Sequence, residues 1–318
     1  MPPFRALIAS ARLLCAIAIQ MRENGAYQRQ RGNQLMFERL SRSWQLVKAS
    51  GNVLMQDKSL LLFPLISAAA TLFVVACFVL PAIGIGALDG ITQGRDGAIS
   101  TSAMVLGFLF YLSQYFVIFF FNAALVGAAM MRLDGGNPTV ADGLRIAMAK
   151  AGSILGYAFI AATVGLILRM IQERVGFVGK IIVGLLGTGW TIATYLVVPV
   201  LVARDVGPLD AVKESATLLK KTWGENLIGQ AGIGFAFWLI QFAVIICGIA
   251  LVIAASVTEN IPLIVIAVLI AFIAMTMTAL IHAALAGIYA AALYRYATGN
   301  ESTTGFEAKS LQLAFAPK

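Results

Sequence analysis

Apolar residues along this chain are collected in six long uncharged stretches, and the charged residues lie in the segments between them. About 20 apolar residues in helical form span a bilayer core of roughly 30 Å. Each stretch reaches or nearly reaches that length, so the pattern predicts six membrane-spanning helices, numbered here spans one to six. The stretches are Ser59–Leu88, Gly97–Met131, Ala151–Leu168, Ile181–Ala203, Asn226–Thr258 and Asn260–Tyr294.

The composition agrees with an all-α integral membrane protein. Hydrophobic residues make up 60% of the chain and charged residues 12%, whereas soluble domains average about 25% charged residues. A soluble fold of this size has no interior large enough for so much apolar surface. Cys15, Cys77 and Cys247 form no CxxC pair, so we interpret them as packing residues and expect no metal or other cofactor.

The distribution of Lys and Arg predicts the orientation in the membrane. Of the 23 such residues, 19 lie on one side of the predicted spans, and only Arg95, Arg169, Arg174 and Lys180 lie on the other. Because Lys and Arg collect in cytoplasmic loops, we expect a multi-pass protein of the cytoplasmic (inner) membrane with both termini in the cytoplasm. The same bias accounts for the net charge of +8 without a nucleic-acid partner.

Residues 1–35 differ from the rest of the chain. They contain five Arg and a single acidic residue, Glu23. Their longest apolar run, Leu13–Ile19, is too short to span, and no clean small-residue cleavage site follows it. We interpret this segment as a poorly ordered basic extension, with translation from Met36 as one explanation and an organelle transit peptide as an alternative. The membrane domain then covers residues 36–298, and 299–318 form a short cytoplasmic tail.

Three polar segments with helical periodicity each precede a span. In the segment from Pro208 the apolar residues recur every three or four positions, which places them on one face of a helix. A Lys-rich amphipathic helix directly before a span is typical of the cytoplasmic interface, where it contacts anionic headgroups. The predicted apolar face consists of Leu209, Val212, Ala216, Leu219 and Trp223.

Similar segments begin at Met36 and Pro138, and the three together predict three parallel units. Each unit is an interfacial helix followed by a pair of spans, starting near residues 36, 138 and 208. Chance similarity is the alternative, since Lys and helical spacing are common. The apolar faces of the first two helices are Phe37, Leu40, Trp44 and Val47, and Val140, Leu144, Ala147 and Ala151. The candidate interfacial residues are Trp44, Lys48, Lys150, Lys220 and Trp223.

The stretch VPVLVARDVGPLDAVKESATLLKKTWGEN, Val198–Asn226, has a recognisable order: a Pro near a span end, an acidic residue, Ala-x-x-Ser-x-x-Leu-x-Lys and an aromatic. With the opening MFERLSRSWQLVK and the ending LYRYATG, it resembles an uncharacterised bacterial and archaeal six-span membrane protein family. That family is distantly similar to the membrane domain of glycerophosphodiester phosphodiesterases. The resemblance implies six spans and an interfacial helix, and it brings no catalytic residues.

The sequence contains few motifs that indicate a catalytic or ligand-binding site. HExxH, GxSxG and the phosphate-binding loop are absent, and no Asp or Glu lies deep in a span, so we predict no enzyme. The candidate functional polar residues within spans are His282, Gln114, Gln241 and Thr278. His282 has two interpretations: a packing residue hydrogen-bonded to a neighbouring helix, or a pH-sensitive or substrate-contacting group.

Two spans have distinctive faces. In span six, Ala279, Ala283, Gly287 and Ala291 form a ridge of small residues, which predicts close helix packing. In span two, Phe116, Phe119, Phe120 and Phe121 surround the helix, which predicts that most of them face lipid.

Three functions remain compatible with the sequence. The first is a non-enzymatic protein that supports the envelope or assembles as a homo-oligomer or with other membrane proteins. The second is a transporter or channel for a small or lipid-like molecule, and the third is a membrane enzyme. A cavity lined by Gln114, Gln241 and His282 would favour the second, whereas a solid bundle would oppose it.

Overall fold

The computed structural model of the protein describes residues 50–84, 101–221 and 223–299. Within these ranges the chain forms helices and the connections between them, with no strand. The helices are α1 (Leu62–Gly84), α2 (Thr101–Leu133), α3 (Val140–Ala149), α4 (Ala151–Arg174), α5 (Phe177–Ala193), α6 (Val197–Ala203), α7 (Pro208–Lys221), α8 (Trp223–Ser256) and α9 (Ile261–Ala297), and a 3-10 turn, Lys58–Leu61, precedes α1.

Six membrane-capable helices are present among the described residues, as the sequence predicts. Spans one, two, three, five and six correspond to α1, α2, α4, α8 and α9. Span four consists of two helices, α5 and α6, which together cover Phe177–Ala203. The predicted first interfacial helix and the proposed domain limits at residues 35 and 36 lie outside the described residues.

Helix α2 is the central element of the bundle, because α1, α3, α4, α6 and α9 all pack against it. Residues 123–129 are buried on every side, and five of these seven are Ala or Gly, which let neighbouring helices approach closely. The prediction that the phenylalanines of span two face lipid was wrong. Phe116, Phe119 and Phe120 pack against the core, and the Phe119 ring lies 4.6 Å from the ring of Tyr157 on α4.

Helices α8 and α9 form a long antiparallel hairpin that is only half embedded in the bundle. The first part of α9 is largely exposed, whereas residues 284–295 are buried except for the half-buried Ala286. The small-residue ridge of span six therefore packs only in its second half: Gly287 and Ala291 are buried, and Ala279 and Ala283 are exposed. The exposed apolar side chains in the first half face the hydrocarbon of the bilayer.

Helix α3 begins with a capping box. The Thr139 hydroxyl accepts a hydrogen bond from the Asp142 N–H at 3.2 Å, and the Asp142 carboxylate accepts one from the Thr139 N–H at 2.9 Å, which satisfies two otherwise unpaired donors. The Thr139 hydroxyl also donates to the Asp142 carboxylate at 2.6 Å. This bond and the one from the Thr139 N–H, together with the charge of Arg145, hold the pKa of Asp142 below its usual range. The residues of the predicted apolar face of α3 lie toward the protein core, with Ala147 fully buried and Val140 and Leu144 packed against the core.

Helix α7 buries a face that overlaps the predicted one only in part. Of the predicted face, Leu219 is buried and Val212 packs against the core, whereas Leu209 is 62% exposed and Ala216 is exposed. The other buried residues are Ala211, Ser215 and Leu218. Helix α7 packs against α6, and Ser215 has its hydrogen-bond partners in the adjacent break, at Ala193 and Leu196.

Candidate functional site

A cleft of about 310 Å³ lies on the face of α2. Residues of α1 and α9 line its sides, and Tyr195 and Pro199 line it from the break between α5 and α6 and from α6. Its lining includes Phe63 and Ser67 of α1, Phe121 and Asn122 of α2, and Ala286 of α9.

Small residues on α9 open this cleft. Gly287 and its neighbours Ala286 and Ala290 line it, so α9 presents almost no side-chain volume toward α2. A Cβ added at Gly287 would overlap the Leu125 side chain and lie 3.5 Å from Asn122 Oδ1. Gly287 therefore permits the close approach of α9 to α2 at this level, and the alanines beside it leave space.

The break in span four places Tyr195 in the cleft. Pro199 has no N–H to donate to the carbonyl of Tyr195, and a proline ring clashes with the carbonyl four residues earlier. Both effects favour the break that is seen at residues 194–196. Without partners, the freed backbone groups would be costly in a membrane.

A serine from α7 supplies two of those partners. The Ser215 hydroxyl donates to the Ala193 carbonyl at 2.7 Å and accepts from the Leu196 N–H at 3.0 Å. Ser215 is fully buried. The Thr194 hydroxyl donates to the Trp190 carbonyl at 2.8 Å, so hydrogen bonds from α7 and from within span four hold the break in place.

Among the polar side chains that line the cleft, the amide of Asn122 has the most hydrogen-bonding groups. Its amide forms no hydrogen bond within the part of the chain that the structure describes. An amide offers two donors and one acceptor, and the bilayer core supplies no water to satisfy them. The buried hydroxyl of Tyr289, next to Ala290, also lacks a partner among the described residues.

Charged side chains gather at one end of the bundle, which we call the basic end: Lys150, Arg204 and Arg295, with their partners. Lys150 Nζ lies 3.1 Å from Asp205 and donates to the Arg204 carbonyl at 3.2 Å. Arg204 pairs with Glu214 of α7 at 2.9 Å.

Arg295 joins the ends of two spans at the basic end. It is 5% exposed, pairs with Asp134 and donates to the Met130 carbonyl at 3.3 Å. Since Arg204 follows α6 and Lys150 precedes α4, the ends of spans two, four and six and the start of span three lie on the same side. A chain that crosses the membrane once with each span would place these four ends on the same side.

The four candidate polar residues do not meet in one place. Gln114 donates to the Thr71 carbonyl of α1 at 3.4 Å, which joins two helices. His282 packs its ring 4.8 Å from that of Phe237, and the Thr278 hydroxyl donates to Ala274 of its own helix at 2.8 Å. These three and the half-buried Gln241 lie outside the lining of the cleft.

The candidate interfacial residues are only partly described. Trp44 and Lys48 lie outside the described residues, as does the side chain of Trp223, which begins α8. Lys220 is exposed on α7, and Lys150 belongs to the basic end. Sequence analysis missed Tyr195 and Ser215 as site-forming residues, although Pro199 four residues after Tyr195 is a signal for a helix break.

Among the described residues, no group of three His, Cys, Asp or Glu side chains could hold a metal ion. Six membrane-capable helices, joined by charged connections that pair at one end, define a multi-pass integral membrane protein. A family model described as a family of unknown function (DUF6159) matches residues 101–306. This chain belongs to that family. The match covers spans two to six, and it includes the break in span four and the basic end. A search of curated proteins found no match.

Proposed function

We propose that this protein is a non-enzymatic membrane protein that takes a lipid-like molecule from the bilayer into the cleft on α2. The observation that carries this proposal is the cleft itself, a concave, mainly apolar space of about 310 Å³ with a few polar groups. Ligand sites have this character, and they range from about 300 to 1,000 Å³. The proposal corresponds to the binding step of a transporter for a lipid-like molecule.

Access from the bilayer supports the same proposal. Ile118, which lines the cleft, is 45% exposed, and Ala283 on the opposite side is exposed as well. Helices α1 and α9 contact each other much less extensively than either contacts α2. The gap between α1 and α9 therefore leads outward to the surrounding lipid. A molecule dissolved in the bilayer can enter sideways without crossing the headgroup layer.

Native mass spectrometry of the protein released from membranes tests the proposal. We expect the wild-type protein to retain a bound lipid after delipidation and Ala286→Trp, which fills the cleft, to lose it. Ala274→Trp is the matched control, because Ala274 is exposed on the same helix and outside the cleft. Equal retention by both variants and the wild type, with unchanged helix content, would contradict the proposal.

A support or assembly role in the envelope is the second candidate, and the basic end favours it. Lys213 and Lys220 of α7 are exposed beside this layer of ion pairs, where anionic headgroups would attract them. The test measures how strongly phosphatidylglycerol is enriched over phosphatidylcholine in the lipid that surrounds the protein. The double variant Lys213→Glu with Lys220→Glu should reduce that selectivity, and an unchanged ratio would oppose this role.

We also propose cytoplasmic termini and three parallel units, with a distant relation to the membrane domain of glycerophosphodiester phosphodiesterases. The Lys and Arg bias supports the orientation. The shared pattern of α3 and α7, each placed before a span, supports the units. A reporter fused in the connection at Glu259 should be external, and a cytoplasmic signal there would overturn the orientation.

A further inference from the structure

We propose that the occupant of the cleft is a lipid quinone: an uncharged ring with carbonyl oxygens on a long apolar tail. This inference rests on the proposed function, since it names the class of molecule that the cleft takes. Four features of the described residues lead to it, namely the charge of the lining, its hydrogen-bonding groups, their depth and the aromatic walls.

The lining of the cleft excludes a charged ligand group. It contains no Lys, Arg, His, Asp or Glu. A phosphate or carboxylate placed there would lose its hydration with no positive partner, which is prohibitively costly in a low-dielectric interior. The charged groups of the protein lie instead at the basic end, so a phospholipid headgroup would remain there and its acyl chains alone could reach the cleft.

The hydrogen-bonding groups of the cleft favour a ligand with acceptor oxygens. Ser67, Asn122 and Tyr195 line it, and each of these side chains has at least one donor. The Asn122 amide has no partner among the described residues. A carbonyl oxygen accepts from an amide N–H or a hydroxyl without bringing a donor that itself needs a partner. An all-hydrocarbon occupant would leave the Asn122 donors unpaired.

The depth of these groups separates a quinone from glycerol-based lipids. Asn122 precedes Arg132 by ten residues, Tyr195 precedes Arg204 by nine and Ala286 precedes Arg295 by nine. At 1.5 Å per residue, each lies roughly 14–15 Å from the charged layer, which is near the middle of a hydrocarbon core about 30 Å thick. Ester groups of glycerolipids lie at the boundary of the core, whereas a lipid quinone dissolves within it.

The walls of the cleft suit a flat ring. Phe121 of α2 and Tyr195 from the break are aromatic residues of the lining, and aromatic rings pack well against other flat π systems. The volume of about 310 Å³ is at the small end for a ligand site, so it accommodates a ring and the start of a tail. The remaining tail would leave through the gap between α1 and α9 into the bilayer.

The test measures binding to the delipidated full-length protein of three probes: decylubiquinone, dioleoylglycerol and phosphatidylglycerol. We expect decylubiquinone to bind with the highest affinity. Asn122→Leu should weaken decylubiquinone binding about tenfold, which corresponds to the loss of about 1.4 kcal/mol, and should leave dioleoylglycerol binding unchanged. Gln114→Leu is the matched control, because Gln114 is an amide on the same helix outside the cleft, and it should bind decylubiquinone like the wild type.

Two failures are distinguishable. If phosphatidylglycerol or dioleoylglycerol binds more tightly, and Ala286→Trp abolishes that binding, the quinone inference is overturned while the proposed function stands. If Ala286→Trp leaves the binding of all three probes unchanged, both are overturned. Equal decylubiquinone affinity of Asn122→Leu and the wild type would overturn the role of Asn122 and with it the inference.

Discussion

Ser215 is the residue whose removal tests the local structure of span four most sharply. Ser215→Ala deletes a buried hydroxyl that bonds to the Ala193 carbonyl at 2.7 Å and the Leu196 N–H at 3.0 Å. Each buried group left unpaired costs about 1–3 kcal/mol in soluble proteins, and membrane hydrogen bonds average about 0.6 kcal/mol. Two lost bonds, offset by about 0.5 kcal/mol of better helix propensity, lower the free energy of unfolding by about 0.7 kcal/mol at the membrane value and by about 1.5 kcal/mol or more at the soluble value.

The assay is unfolding in mixed micelles by titration with sodium dodecyl sulfate, followed by circular dichroism. Thr217→Ala is the control, because Thr217 is exposed on the same helix and donates only to Lys213 of its own helix. We expect the control to unfold within about 0.5 kcal/mol of the wild type. The same result for Ser215→Ala would refute the argument that this hydroxyl holds the break.

Three further substitutions test other contacts. Gly287→Ala should destabilise the protein by about 1–3 kcal/mol, because its Cβ would overlap a leucine of α2 and overpacking has that cost. Asp134→Ala should lower the free energy of unfolding by about 1–3 kcal/mol in the same assay. The substitution removes the ion-pair partner of the buried Arg295, so the guanidinium charge keeps fewer hydrogen-bond partners. Thr139→Ala should raise the pKa of Asp142 toward its usual range, because the Thr139 hydroxyl supports the ionised carboxylate; NMR titration measures this.

Each of these substitutions has a control or an opposing outcome. Gly184→Ala should not destabilise the protein, since a Cβ there meets open space. Asp210→Ala should lower the free energy of unfolding by less than about 0.5 kcal/mol, because both side chains of its ion pair with Lys213 are exposed. If either control matches its test variant, the corresponding contact does not stabilise the fold. An unchanged Asp142 pKa in Thr139→Ala would show that the capping box does not hold that carboxylate.

The direction of the pH effect at Asp142 follows from its lowered pKa. A carboxyl whose pKa is lower in the folded state contributes stability that is present above its unfolded pKa, near 4. That contribution is lost as the pH falls through the folded pKa. The wild-type and Thr139→Ala proteins should therefore differ in pH dependence only below about pH 4.

The number and approximate positions of the spans were predictable, because hydrocarbon thickness sets the minimum length of an apolar helix that crosses it. That Val140, Leu144 and Ala147 share one face of α3 followed from helical periodicity. Both inferences use information that is local in sequence, so neither needs to know which helices are neighbours.

The burial of α2 and the rotation of α7 were not predictable in the same way. In a membrane both lipid-facing and buried helix faces are apolar, so the phenylalanines of span two gave no sign of the core around them. The inward face of α7 depends on Ser215, whose partners Ala193 and Leu196 are about 20 residues earlier. The cleft likewise requires Asn122, Tyr195 and Ala286 to come together from three separate spans.

A cryo-electron microscopy map of the protein in nanodiscs of native lipid shows whether the cleft on α2 holds a lipid-like molecule. We expect an elongated density between α1 and α9, with one end within hydrogen-bond distance of Asn122 and the other in the bilayer. A map in which side chains close the cleft, or in which the cleft contains no density while neighbouring lipids are resolved, would overturn the proposed function.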